Sequence, residues 1–491
     1  MTVSDQTSLL AREETASRRS STLDVRRATA VAAGKLSATV TRLLGMGGGT
    51  ALPGLVAARL DPRIVRDLSA QLMHGSVVVS GTNGKTTTAR MLSAILSDAS
   101  FAPLRNTAGS NLMRGLASSL ISHTNVLGNL SSAGDSLGLF EADEAALPEV
   151  LATVAPKVVL LLDLFRDQLD RYGEVATVAR LWSGAIGALP PATTVVANGD
   201  DPLVTDATAS AASSRLFFGV ESAGPDAGAR EHASDVKACP RCGERIEYTA
   251  VFLGHMGHYR CTQCNLSRPT PEVFATDIHL YGVTGSEFAL VTPAGTAQVI
   301  LPLPGLYNIY NAVGAAAAAS SMGIQPDRIA ASLRAVTPAF GRMEQLRIDD
   351  RMAFLALAKN PTGLNQILRT LISGERPISL LMMLNDNIAD GRDVSWIWDA
   401  DVEVLDGFLC SVVFAGTRAE DIALRFKYAG VIGAGAGTLW EVIRDTERAL
   451  RRAVELTPPG KTLFVVPTYT ALLDVRNTLS RLGYVKPYWE E

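Results

Sequence analysis

The stretch SVVVSGTNGKTTTARMLSAILSDA, residues 76–99, constrains the fold more than any other part of the chain. A short β-branched run reads as a buried strand, a glycine-bounded loop follows, and the next residues carry helical periodicity. A strand that feeds a helix through such a loop belongs to a parallel sheet, because only a crossover helix returns the chain to the same sheet edge. Further apolar runs repeat the signal: SLGLFE at 136–141, KVVLLLDLF at 157–165 and TTVVAN at 193–198. The expectation is an α/β fold with a parallel sheet and helices on both faces.

The loop itself, GTNGKT, predicts phosphate binding. Gly81 and Gly84 let the backbone turn tightly and aim N–H groups inward, and the helix N-terminus adds partial positive charge. Lys85 is placed to reach terminal phosphates, and Thr86 offers a hydroxyl to Mg²⁺. Gly81, Thr82, Asn83, Gly84, Lys85, Thr86 and Thr87 are therefore the nucleotide-binding candidates, with ATP and Mg²⁺ as the expected ligands. Glu141 ends an apolar strand, where ligands of open parallel sheets sit, and is the second Mg²⁺ candidate. Asp143 and Glu144 follow it and divide evenly between site residues and a solvated acidic turn.

Cys239, Cys242, Cys261 and Cys264 form CPRC and CTQC. Four thiolates in two such pairs predict a tetrahedral Zn²⁺ with no open coordination position, hence a structural zinc ribbon at 235–268. His255 and His258 lie between the pairs and are weaker ligand candidates; Cys410 sits in an apolar run and reads as core.

With 491 residues the chain is too long for one core. A Ser/Thr-rich tail and one helix occupy 1–44, the nucleotide-binding domain 45–336 with the ribbon inserted in it, and a smaller α/β domain 337–491. Its expected strands are MAFLALA, ISLLMML, CSVVFAG and TLFVVP. A net charge of −4 without a basic stripe excludes the strongly basic class of nucleic-acid binder, and no run reads as a membrane span or secretory signal.

The order of SGTNGKTTTAR, EADEAALPEV, LFRDQLDRYGEV, NGDDP and LPGLYNIYNAVGAAAA resembles the central ATPase domain of the Mur ligases. That resemblance implies activation of a carboxylate as an acyl phosphate, which an amine then attacks. It implies that Asn198, Asp200, Asn308 and Asn311 border the adenosine, and that the segment from Asp167 to Asp170 lies near the phosphates. Asp163 and Gln168 depart from the family's Asn and metal-binding His, and Asp170 and Arg171 are read as structural. The ribbon, AKNPTG and NDNIADGRDVSW make the chain similar to the MurT family, the Mur-ligase-like subunits of lipid II isoglutaminyl synthases.

This second resemblance implies amidation of the D-glutamate α-carboxylate in the lipid II stem peptide. A GatD-like glutamine amidotransferase subunit supplies the ammonia. The work is then cytoplasmic, against the inner membrane face where the lipid-linked substrate lies. The essential acid of the C-terminal loop is assigned to Asp393, with Asp390 and Asp386 as alternates and an N-cap role as competitor; Lys359 and Asn360 line the acceptor or phosphate side. Two other readings compete. A plain amide ligase of the Mur or folylpolyglutamate kind is opposed by the altered AKNPTG motif, and a non-catalytic ribbon protein by the intact phosphate loop.

Overall fold

The computed structural model describes residues 25–43, 51–106, 111–130, 134–167, 175–222, 235–337, 341–374, 376–433, 435 and 437–486. The expected tail at 1–22 and the positions Gln168, Asp170 and Arg171 lie outside them.

Eleven strands precede the C-terminal sheet: β1 (Ser76–Ser80), β2 (Ala102–Arg105), β3 (Ser136–Glu141), β4 (Val158–Leu161), β5 (Thr194–Asn198), β6 (Ser214–Val220), β7 (Ile246–Leu253), β8 (Met256–Cys261), β9 (Val273–Leu280), β10 (Ser286–Thr292) and β11 (Gly295–Leu301). Nine of them form one sheet in the order β11-β10-β9-β6-β5-β4-β1-β3-β2. The strands from β9 to β2 pair in parallel, while β10 pairs antiparallel with both neighbours. Alternate side chains of β1 serve two cores. Val77 and Val79 pack with Leu92 and Ile95 of the helix Lys85–Asp98, and Val78 faces the opposite layer with Leu68 and Phe140. Burial on both faces is why the centre of β1, Val77–Val79, is apolar rather than alternating. The helix Leu306–Ser321 lies in the first layer, and its alanine run Ala315–Ala319 is wholly buried.

The cysteine segment folds as the separate antiparallel hairpin β7–β8. The C-terminal sheet has the order β12-β13-β17-β14-β15-β16, with β12 (Arg342–Ile348), β13 (Arg351–Ala356), β14 (Ile378–Met383), β15 (Leu409–Ala415), β16 (Leu439–Val442) and β17 (Thr462–Pro467). Only β12 runs antiparallel. Leu380 and Met382 of β14 point into one core with Leu368 and Phe426, whereas Leu381 and Met383 point into the other with Leu450 and Leu472. The four C-terminal strands expected from the sequence are β13, β14, β15 and β17. β12 and β16 lack the apolar run that marks the other strands: RMEQLRI is interspersed with charge, and LWEV is short and largely exposed.

Candidate active site

The loop after β1 takes the form its sequence requires. Gly84 is the N-cap of the helix at φ 79°, and a Cβ there would meet Asn311 Oδ1 at 2.0 Å. Only glycine serves both the left-handed backbone and the close approach. At Gly81 a Cβ would lie 2.7 Å from Leu162 Cβ. Lys85 Nζ donates to the Gly81 carbonyl and, at 2.8 Å, to Glu144 Oε2. Burial opposes both charges, yet each holds the other. Glu144 is brought down to about 2 by Lys85 and Lys359, and Lys85 is raised by Glu144, Asp143 and Asp167. Glu144 thus resolves as the partner of the loop lysine, not a solvated acid.

Thr86 Oγ1 donates to Glu141 Oε2 at 2.8 Å, and Glu141 Oε1 is buried without a hydrogen-bond partner, with Arg105 Nη2 3.5 Å away. A hydroxyl and a half-unsatisfied carboxylate side by side form an oxygen donor set suited to a hard divalent cation. Asn106 clamps the Glu141 backbone from both sides, donating to its carbonyl and accepting from its N–H. Thr82 holds Phe165 through paired contacts of its hydroxyl with the Phe165 N–H and carbonyl. The Asn83 N–H donates to Asp163 Oδ1 at 2.8 Å, and burial raises that carboxyl to about 7.

Beside the loop a cleft opens between the two α/β units. Asn83, Gly84 and Thr87 form its phosphate end; Phe165, Tyr307 and Tyr310 give it apolar walls. Asn311 lines it and accepts from Thr88 Oγ1. The other three positions assigned to adenosine lie behind its surface. Asn308 donates to the Pro304 carbonyl and accepts from Asn311. Asn198 donates to Met256 Sδ. Asp200, fully buried, accepts from Arg268, Tyr310 and the Val220 N–H. Held by three donors, with both oxygens engaged, Asp200 acts as a brace for the cleft wall. Arg342, Leu253 and Met256 also line the cleft. Sequence reading missed them, since their distance along the chain from the loop gives no local signal.

The C-terminal unit meets the loop through its first helix, Pro361–Ile372. Asn360 caps it, accepting from the Gly363 N–H, and donates to Asn83 Oδ1 at 3.0 Å. Lys359 Nζ donates to the Thr82 carbonyl at 3.1 Å and pairs with Asp167. A second cleft, lined mostly by charged side chains, brings Lys359, Asn360, Arg166 and Asp167 together with Asp390 and Asp393. Within it the two acids differ. Asp390 is buried and accepts from both the Thr470 N–H and hydroxyl, which pins the loop to the helix Tyr469–Arg481. Asp393 is exposed, and its hydrogen bonds from Ser395 hold its carboxyl below the usual range. Asp386 does not line this cleft; it accepts from Thr417 Oγ1 and Arg418.

The four cysteine sulfurs lie within 4.8 Å of one another, with Cys239–Cys264 at 3.6 Å and Cys242–Cys261 at 3.5 Å. A tetrahedral zinc with Zn–S near 2.3 Å needs S···S of about 3.8 Å, so the cluster fits that ion. His255 and His258 stand apart from it: His255 is buried against Phe165, and His258 Nε2 donates to the Val220 carbonyl. Cys410 is half-buried in β15, its Sγ 3.2 Å from Ser379 Oγ.

The Mur ligase middle domain family matches residues 79–260, and the MurT ligase C-terminal family matches 357–472. Subunit MurT of the glutamine-hydrolysing lipid II isoglutaminyl synthase of Streptococcus pneumoniae is 32% identical over 90% of this chain and 94% of its own. The Staphylococcus aureus MurT is 30% identical over 93% and 98%. Among solved structures, a pseudomurein peptide ligase type C from Methanothermus fervidus superposes with TM-score 0.65 at 21% identity, covering 85% of this chain and 80% of that one. MurF ligase from Thermotoga maritima in complex with ADP gives 0.60 at 13% identity, covering 87% and 84%. These structural likenesses carry the fold.

Proposed function

The chain belongs to the MurT family of Mur-ligase-like subunits, and from that premise we propose that it is the synthetase half of a lipid II isoglutaminyl synthase. The observation that carries this reading is the meeting of two clefts at Lys359: one lined by Asn83, Gly84 and Thr87 of the phosphate loop, the other by Asp167, Asn360 and Asp393. ATP lies in the first cleft, with its phosphates over the Gly81–Thr87 backbone. Thr86 and Glu141 hold a Mg²⁺, which neutralises phosphate charge when bound. Lys85 withdraws charge from the terminal phosphate.

A carboxylate is a poor electrophile, and phosphorylation gives it a leaving group. An oxygen of the D-glutamate α-carboxylate attacks the γ-phosphorus, the bond to the β-phosphate oxygen breaks, and ADP departs. Ammonia then attacks the acyl carbon, inorganic phosphate leaves, and the nitrogen sheds a proton to give the isoglutamine amide. Lys359 and Arg166 place positive charge around the developing oxyanion. Asp393, exposed at the mouth of the polar cleft, faces the ammonia source. A GatD-like glutaminase subunit supplies it, since ammonia released to water is captured as ammonium. No described helix is long and apolar enough to cross a membrane. The lipid-linked substrate places the work at the cytoplasmic face of the membrane. Zinc in the Cys₄ cluster is structural.

The test is incubation of the chain with ATP, Mg²⁺, lipid II and an ammonium salt, with and without the glutaminase, followed by mass spectrometry of the stem peptide. Conversion of acid to amide with ADP formed supports the reading. Consumption of an added amino acid instead of ammonia replaces it with a plain ligase.

A further inference from the structure

The cysteine hairpin reaches further than its metal cluster. β8 runs from Met256 to Cys261, so its ends lie roughly 17 Å apart at about 3.3 Å per residue. One end bears a cysteine of the metal cluster. The other end, with Leu253 of β7, forms part of the wall of the nucleotide cleft beside Tyr307 and Tyr310. The tip is fitted closely. Gly254, at φ 60°, passes so near Phe165 that a Cβ would lie 2.6 Å from its ring. His255 is wholly buried, with its ring centroid 4.4 Å from that of Phe165 and its Nε2 3.4 Å from Asp201 Oδ2. Asp201 in turn accepts from the Leu164 N–H, and the Gly257 N–H donates to the Asp200 carbonyl. Met256 Sδ accepts from Asn198.

We propose that the hairpin tip is a subsite of the nucleotide pocket, in which Leu253 and Met256 form the apolar surface that receives the base, and that the metal cluster holds this surface in place. This deepens the proposed function and rests on its assignment of ATP to the first cleft. The reason is structural economy. The tip is held by packing, since Phe252, Leu253 and Met256 join the first domain's core, and a metal at the open end would fix the two strands against each other there. A polarisable thioether and a leucine suit the flat face of a purine. Triphosphate contacts belong to a different part of the cleft, the loop at Gly81–Thr87.

The experiment is an equilibrium titration of the full zinc-loaded chain with ATP–Mg²⁺ and, separately, with inorganic tripolyphosphate–Mg²⁺. Variants are Leu253→Ala, Met256→Ala and Met256→Leu; a further sample is wild type treated with chelator and then refilled with zinc. Removing one apolar contact of this size raises the Kd for ATP by about tenfold. Tripolyphosphate binding is unchanged, Met256→Leu retains the affinity for ATP, and chelation lowers that affinity until zinc is restored. Alanine variants that bind ATP like wild type overturn the inference. A parallel fall in tripolyphosphate binding overturns it too, since the damage then lies in the loop. Failure of wild type to bind ATP at all, while binding tripolyphosphate, removes the nucleotide reading itself.

Discussion

Lys359 donates to the carbonyl oxygen of Thr82 at 3.1 Å, joining residues 277 apart in sequence across the two α/β units. The same ammonium pairs with Asp167, so one side chain orders the phosphate loop, the segment after β4 and the first C-terminal helix. Lys359→Ala leaves Asp167 buried beside Glu144 without its counter-charge and frees the C-terminal unit from the loop. Misplacement of reacting groups by an ångström costs on the order of 100-fold in rate, and that is the expected loss in amidation turnover. Steady-state assay with saturating ATP checks it. A variant with unchanged turnover removes Lys359 from the reaction.

Lys85→Ala abolishes amidation and ATP turnover. It also strands the buried Glu144, at a cost of about 3 kcal/mol for breaking such a pair. The pH dependence then flattens. In the wild type Glu144 is depressed to about 2 from an ordinary 4.5, so its contribution is present above pH 4.5 and fades as pH falls towards 2. Without Lys85 the carboxylate keeps only Lys359 and Asp143 against its burial, so the variant has less stability to lose as pH falls from 4.5 towards 2. Thermal melting across that range distinguishes the two slopes.

Asp163 stands where the family often carries Asn. Burial raises it to about 7 against the Asn83 N–H that lowers it, while its ordinary value is 3.8. A carboxyl raised on folding stabilises the folded chain at low pH and loses that contribution as pH climbs through 7. Its ionisation also places negative charge beside the phosphate loop. ATP affinity therefore falls from pH 6 to pH 8 in the wild type and stays level in Asp163→Asn. The variant is also more stable at pH 8, by about 2 kcal/mol after allowing for relaxation around the group. Calorimetric titrations at several pH values read the first effect, and denaturant unfolding the second.

Asp393→Asn leaves ATP affinity and melting temperature unaltered and cuts glutamine-dependent amidation by about 100-fold, the scale expected of a positioned acid or base. Asp390→Asn acts differently. It replaces one acceptor of the Thr470 contacts with an amide and lowers stability by about 1–2 kcal/mol. Paired melting and activity measurements separate the roles. Loss of activity in Asp390→Asn at undiminished stability, with Asp393→Asn active, moves the role to Asp390.

Much of the architecture is legible in short stretches. β1 and its loop declare themselves because glycine, lysine and threonine must stand at fixed steps between a strand and a helix. The two cysteine pairs do so because four thiolates around one ion demand tight turns. The buried strands β3, β4, β14, β15 and β17 carry largely apolar runs, whereas β12 and β16 do not, one alternating with charge and the other exposed at an edge.

Local spacing thus settled the phosphate loop, the two cysteine pairs and the parallel α/β class, since each is written in residues within one turn, strand or helix of each other. Packing between distant segments decided the rest. It turned Glu144 towards Lys85 and set Asp200 under Arg268 and Tyr310 as a brace. It brought Lys359 to Thr82 and carried Met256 from a metal ribbon to a cleft wall. Those contacts exist because burying apolar surface and satisfying buried charges are properties of the whole folded chain, and a linear pattern does not record which far segment supplies the partner.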